Sequence, residues 1–341
     1  MTVEQQNFFR LLRAGVFGQT EQVEPMSAWK WRHLYAVAKS LQLSPIIHDG
    51  VTACHDQFFM QLPDNVQQAL KADTERAEQE YATASADVAE LLLTLGTLQF
   101  RPILMEPWPT ALLYPVPAHR PIDVVGIYYP YATQGTKADE WGKASDSEAD
   151  SSYRYLLRYH WKSLSVEHRH RMQQLSSRFT NQALQHILEQ EWLDGGTSHI
   201  MLNGQRIETV PPTLYMLLTF ISIVRQTILQ GLSLYQVIDV GQQLRRQGDR
   251  IDFVKLTEWT ERLHIGRMVL LVGQVLTELL GFTPDEVPFM QEKPADTDAL
   301  ANSLLPDRNG LPKQRYRRFS PGESIANAVA NITHSLGNVQ E

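Results

Sequence analysis

The sequence has little of three features that assign many proteins to a compartment or a partner. Cys54 is the only cysteine among 341 residues, so neither an internal disulfide nor a cage of several thiolates around a metal can form. Lysine and arginine number 31 against 38 acidic residues, which gives a net charge of −7. Domains that bind nucleic acid are usually basic. These shortages predict a protein of a reducing compartment and give no strong nucleic-acid signal.

Long uninterrupted hydrophobic runs are also missing. The two most apolar stretches, 214–229 and 268–282, are shorter than the roughly 20 residues that a membrane helix needs, and the first contains Arg225. Residues 1–17 lack the basic, apolar and small-residue order of a signal peptide. We therefore expect two buried helices, no membrane association and a cytoplasmic location.

Helical periodicity is abundant at both ends of the chain. The pattern predicts short helices up to about residue 60 and a long helix from Asp64 to a stop at Gly96. Between 211 and 290, apolar residues form four successive stripes at helical spacing, which predicts a helical subdomain. The remainder, 291–341, is expected to be partly loose and locally basic. It contains a basic run formed by Lys313, Arg315, Arg317 and Arg318.

The middle of the chain has a different pattern. Residues 99–105 and 120–130 are short, rich in β-branched or aromatic residues and bounded by prolines, so they are predicted as strands. Two more strands are expected within 153–172, a helix within 176–192 and a polar surface loop over 135–152. The prediction is an α+β protein with segments 1–97, 98–210, 211–290 and 291–341.

The order of these segments resembles one family. A strand and turn are followed by "YPVP" at 114–117, by Arg120, by the segment at 120–130, by "VE" at 166–167 and by "GLSLYQVIDVGQQL" at 231–244. Over residues 31 to about 288 this is similar to the bacterial nucleotidyltransferase-like proteins of the DNA polymerase β superfamily, in the branch with flanking helices. The resemblance implies a small mixed β-sheet core. It also implies Mg²⁺-dependent transfer of a nucleoside monophosphate from a nucleoside triphosphate.

The resemblance also implies which residues form the site. Asp123 and Glu167 are the predicted catalytic residues and metal ligands, because carboxylates at such strands hold Mg²⁺ together with the substrate phosphates. Arg120 and Arg169 are the predicted phosphate-binding residues. In such a family the strand that carries Asp123 has a second aspartate two residues on, where this chain has Val125. Moving the register by one residue, to Val124 and Gly126, supplies no carboxylate either.

A second departure lies upstream. Glu106-Pro107 stands where the family has a Lys-Gly turn that faces the phosphates. Glutamate reverses the charge there, and proline removes a backbone donor. Two of three carboxylates remain, so the resemblance implies that catalysis is weakened or lost.

Several alternatives stay open. Glu167 either binds metal with Asp123 or pairs with Arg169, and we rank the ion pair first. His168 and His170 share the strand face opposite Glu167 and can chelate a transition metal only if a third ligand exists. For the whole protein, one hypothesis is a magnesium-dependent enzyme. In that hypothesis a nucleoside triphosphate is the bound substrate. The alternative is a non-catalytic binding or scaffold protein that binds no nucleoside triphosphate and contacts a protein partner through the helical subdomain or the basic tail.

Overall fold

The computed structural model describes residues 1–152, 155–290 and 297–306. The chain divides into two compact units, one of residues 78–218 and one that combines residues 1–77 with residues from 219 onward. Residues 1–77 and the described residues after 218 therefore belong to one unit, although they were predicted as different segments. The basic run of the predicted tail, from Lys313 to Arg318, lies outside the described residues.

The unit that combines residues 1–77 with the described residues after 218 is helical. Residues 1 to about 60 form short helices, and four helices follow one another between 212 and 278, as the periodicity predicts. Thr283 forms a capping box with Glu286 at the start of one further turn. Among the described helices, none is both long and apolar enough to cross a membrane. The helices that lie wholly or partly in this unit are α1 (Val3–Phe17), α2 (Ala28–Ser40), α3 (Ser44–Ala53), α4 (Asp64–Thr97), α8 (Pro212–Gln230), α9 (Leu234–Gln247), α10 (Phe253–Arg262), α11 (Gly266–Glu278) and α12 (Thr297–Leu304).

The unit of residues 78–218 contains the strands and confirms the α+β class. Its elements after the end of α4 are β1 (Ile103–Leu104), α5 (Trp108–Ala111), β2 (Val125–Tyr128), α6 (Ala132–Ser145), β3 (Leu156–Trp161), β4 (Leu164–Arg169), α7 (Arg178–Gly195), β5 (Ser198–Leu202) and β6 (Gln205–Thr209). Four strands form a mixed sheet in the order β1-β2-β4-β3, in which only β2 and β4 run parallel. The strands β5 and β6 form a separate antiparallel hairpin.

One face of the four-stranded sheet is its core side. Val125 pairs with Val166, and both are almost completely buried. They belong to an apolar cluster that also includes Tyr159 of β3, Ala138 of α6 and Leu91 of α4. Because side chains alternate along a strand, the residues next to Val125 on β2 and next to Val166 on β4 point to the other face. That second face carries the paired positions Gly126 and Glu167.

The predicted surface loop over 135–152 is wrong for most of its length, because α6 occupies Ala132–Ser145. The residues that this helix buries are Gly135, Ala138 and Gly142. They follow helical spacing but are small, so the helix approaches Leu157 and Tyr159 closely without showing a hydrophobic stripe.

The hairpin of β5 and β6 was not predicted either. Its turn is Asn203-Gly204, and both residues have positive φ, at 48° and 77°. This dipeptide is a strong hairpin signal that the sequence does contain.

The strand β3 lies at one edge of the sheet, and its outward side is occupied by the chain itself. Asp150 forms an isolated antiparallel bridge with Arg158, with N–H to carbonyl distances of 2.7 and 3.0 Å. The next outward N–H, that of His160, donates to the Asp146 carboxylate at 2.7 Å. Two outward N–H groups of this edge strand therefore have acceptors.

Candidate functional site

The strand pairing fixes which residues can meet at the site. In the register of β2 and β4, the residue opposite Glu167 is Gly126, and the residue opposite Arg169 is Tyr128. Val125, the position compared with the second aspartate of the family, is instead buried in the core. Gly126, one residue after Val125, is thus the position that faces Glu167. The strand β2 carries no carboxylate on that face.

Asp123 lies outside the strand on which it was predicted. The strand β2 begins at Val125, and Asp123 precedes it by two residues with an exposed side chain. It is three residues before Gly126, which corresponds to about 10 Å along an extended chain. The register therefore does not bring Asp123 opposite Glu167, and its role as a metal ligand stays a prediction.

Glu167 is held by two arginines. Arg158 lies opposite it on β3 and donates from Nη2 to Oε1 at 2.5 Å. Arg169 is two residues further along β4 and donates from Nε and Nη2 to Oε2 at 3.2 and 3.0 Å. Both carboxylate oxygens thus accept hydrogen bonds from guanidinium groups. The ion pair with Arg169, one of the two interpretations left open by the sequence, is present.

The two arginines keep Glu167 ionised although the residue is buried. Burial alone raises the pKa of a carboxyl group, because it disfavours the charged form. The charges and hydrogen bonds of Arg169 and Arg158 outweigh burial, so the pKa of Glu167 lies below its ordinary value. The three residues form a charged cluster in which arginines of the same sheet donate hydrogen bonds to both oxygens of Glu167.

Gly126 leaves space for one of these guanidinium groups. A Cβ atom at Gly126 would lie 3.0 Å from Cζ of Arg169 and 3.1 Å from the backbone oxygen of Glu106. The Glu106 side chain, in the turn that replaces the Lys-Gly turn of the family, accepts a hydrogen bond from Gln173 at 2.8 Å. Around Gly126 the face therefore contains Glu167, its two arginines and the backbone oxygen of Glu106.

Arg120, the other predicted phosphate-binding residue, lies at the end of a short turn at Pro117–His119. Its guanidinium is partly buried and donates to the carbonyl of Pro121. Whether it binds phosphate stays a prediction.

This donor set does not suit Mg²⁺. The ion takes oxygen ligands in near-octahedral geometry and needs carboxylate oxygens that are free to bind it. The oxygens of Glu167 are already bound by cations, and its partner on β2 is a glycine. Within the described part of the chain, no group of three or more His, Cys, Asp or Glu residues could hold a metal.

Sequence reasoning missed Asp139, which connects the two histidines. Its Oδ2 lies 2.7 Å from Nε2 of His170, and its Oδ1 lies 3.4 Å from Nδ1 of His168. His168 is fully buried, with Nε2 2.8 Å from the Tyr159 hydroxyl. Burial lowers the pKa of His168, and the negative charge of Asp139 opposes this. The cluster joins α6 to the core side of the sheet, so it is separate from the Glu167 face. Asp139 could not be singled out in a segment predicted as a loop.

A model of an uncharacterised nucleotidyltransferase family matches residues 27–281, close to the range over which the sequence shows its resemblance. Comparison with curated proteins and with solved structures found no match.

Proposed function

We propose a function from the premise that this chain belongs to the uncharacterised nucleotidyltransferase family. The protein keeps the family fold, and its nucleotidyl transfer activity is weakened or lost. Its function is then to bind a ligand or a partner without catalysis. The observation that carries the proposal is the pairing of Glu167 with Gly126, in place of a second carboxylate, while two arginines occupy its oxygens.

The physical argument rests on what the reaction demands. Nucleotidyl transfer depends on positioning the triphosphate and on neutralising charge that develops in the transition state, and metal ions bridging the phosphates supply much of both. Asp123 stands outside β2, Val125 is in the core and Glu106 places negative charge in the turn that would meet the phosphates. These three features support loss of that chemistry.

Binding is the role that remains for such a fold. A nucleotide without its metal is one candidate ligand. A protein partner that uses the helices between 211 and 290, or the basic residues after 312, is the other. We keep both within the proposal, since each follows from the same loss of catalysis.

Calorimetry can test the proposal directly. We expect none of the four nucleoside triphosphates to show saturable binding that requires Mg²⁺, and we expect Asp123→Ala to leave the titrations unchanged. Asp123→Asn should also leave thermal stability unchanged, because its exposed carboxylate lies outside the sheet.

A different result would identify an enzyme. Mg²⁺-dependent binding that Asp123→Ala removes, together with transfer of a labelled nucleoside monophosphate, would overturn the proposal. It would instead support a magnesium-dependent transferase.

A further inference from the structure

We infer that Arg169, assisted by Arg158, supplies the positive charge that a divalent cation would otherwise place against Glu167, and that Gly126 is the residue that makes room for it. The inference rests on the proposed function and deepens it, because it states how this chain's own residues exclude the metal.

The charges match those of a metal-bound carboxylate. Glu167 lies between two guanidinium groups, each with one positive charge, so the carboxylate meets the same total charge as it would from one divalent ion. Arg158 binds Oε1 and Arg169 binds Oε2, and no oxygen of this carboxylate lacks a cationic donor. Hydrogen bonds between charged partners are among the stronger ones in proteins.

The contact around Gly126 is tight for any residue with a Cβ atom. With a Cβ at Gly126, the nearest atoms would be the guanidinium carbon of Arg169 at 3.0 Å and the Glu106 backbone oxygen at 3.1 Å. An aspartate at 126, which a metal site would need opposite Glu167, would therefore compete with Arg169 for the same space. A side chain at 126 would require the Arg169 guanidinium to shift by at least a few tenths of an ångström from its present position.

Tethering favours the arginines over an ion from solution. The strand pairing holds Arg158 directly opposite Glu167, and Arg169 is two residues away on the same strand. Neither has to be recruited from solvent, whereas Mg²⁺ must shed part of a tightly held water shell before it binds. Removing one arginine and restoring a carboxylate should reverse the preference.

The experiment uses the full chain and Mn²⁺, whose paramagnetism reports binding by electron paramagnetic resonance. We expect the wild type to bind no Mn²⁺ that depends on Glu167. The double variant Gly126→Asp with Arg169→Ala should bind Mn²⁺ with an affinity at least about tenfold higher than the wild type, because charge count at the ligands sets the affinity for such ions. Adding Glu167→Gln should remove the gain.

Two further variants keep the test decisive. Arg169→Ala alone should raise the affinity for Mn²⁺ by less than the double variant does. This single variant is used for the test if the double variant does not fold. Arg171→Ala is the matched control, because Arg171 stacks on the Tyr155 ring at 4.1 Å rather than on Glu167, and it should bind Mn²⁺ as the wild type does.

Two outcomes would overturn the inference. One is Mn²⁺ binding by the wild type that Glu167→Gln abolishes, and the other is a folded Arg169→Ala variant that gains no affinity. Failure of the proposed function is distinguishable from both. Nucleotidyl transfer that Glu167→Gln does not affect would contradict loss of activity but leave the inference about Arg169 standing.

Discussion

At the scale of single residues, Glu167 has partners that differ from the metal ion that the family resemblance predicts. It occupies the position that the family resemblance assigns to a metal ligand, yet its oxygens face Arg158 and Arg169. Its negative charge in a buried setting is therefore stabilised by partners that are always protonated at physiological pH. The stability of the fold, rather than a catalytic rate, should respond to its titration.

The pH dependence of stability follows from the direction of this shift. The pKa of Glu167 in the folded protein is below its ordinary value of 4.5. Its stabilising contribution is thus complete above about pH 4.5 and is lost as the pH falls through the lower pKa of the folded state. Glu167→Gln should lower the free energy of unfolding by about 1–3 kcal/mol at pH 7, and the difference from the wild type should shrink below pH 4.5.

Denaturant titrations between pH 3 and 7 measure this difference. Glu140→Gln is the control, since Glu140 is an exposed residue of α6, and it should differ little from the wild type at any pH in that range. A difference between Glu167→Gln and the wild type that stays constant down to pH 3 would contradict the assignment.

At the residue scale, sequence could predict part of the site. The pairing of Glu167 with Arg169 follows from their spacing of two on one strand, and that alternative was recognised. The contribution of Arg158 could not be predicted, because it depends on the register between β3 and β4. The register between β2 and β4 likewise decides that Gly126, and not Val125, faces the site.

At the scale of elements, α6 shows how a helix can be held by its smallest residues. A Cβ at Gly142 would lie 3.0 and 3.1 Å from ring carbons of Tyr159 and 3.2 Å from Leu157. A Cβ at Gly135, on the same helix, would have its nearest neighbour at 3.7 Å, which is ordinary contact. The two glycines therefore differ in how closely they approach the sheet.

Alanine substitutions should separate the two positions. Gly135→Ala should stabilise the protein by about 0.5–1 kcal/mol, because alanine loses less conformational freedom in a helix than glycine. Gly142→Ala has the same favourable effect on conformational freedom, but its methyl group must displace buried side chains. We therefore expect it to lower the free energy of unfolding by about 1 kcal/mol. Thermal unfolding of both variants provides the measurement, and equal stabilisation would contradict the close packing of α6.

Most of the elements could be predicted because their periodicity is strong. The four helical stripes after 211 correspond to α8 to α11, and the two strands expected in 153–172 correspond to β3 and β4. The exception in type is α6, whose contact residues are too small to raise the apolar signal. Amphipathic patterns report side-chain size as well as spacing, so helices that pack through glycine and alanine escape them.

At the scale of the whole molecule, the helical unit combines residues 1–77 with the described residues after 218. Arg245 of α9 connects the two parts of this unit. Its guanidinium lies 4.7 Å from the ring centre of Phe17 and 4.4 Å from the ring centre of Phe282. It also donates to the carbonyl of Phe17 at 3.2 Å. Burial lowers the pKa of Arg245, and the charge of Glu286 opposes this.

Replacing this arginine should weaken the unit. Arg245→Lys keeps the charge but loses the planar group that contacts both rings, and we expect it to cost about 1–2 kcal/mol of unfolding free energy. Arg246→Lys, at the exposed neighbouring position, should change stability by no more than about 0.5 kcal/mol. Chemical denaturation followed by circular dichroism compares them, and equal effects would contradict a specific role for Arg245.

The hydrogen bonding at the outer edge of β3 affects how readily the protein aggregates at high concentration. An open edge strand offers unpaired N–H and C=O groups to a strand of another molecule, and this is a common route to aggregation. Here Asp150 and Asp146 already accept the outward N–H groups of Arg158 and His160. A second chain would have to displace these contacts before it could extend the sheet, so Asp146 and Asp150 disfavour self-association through this edge.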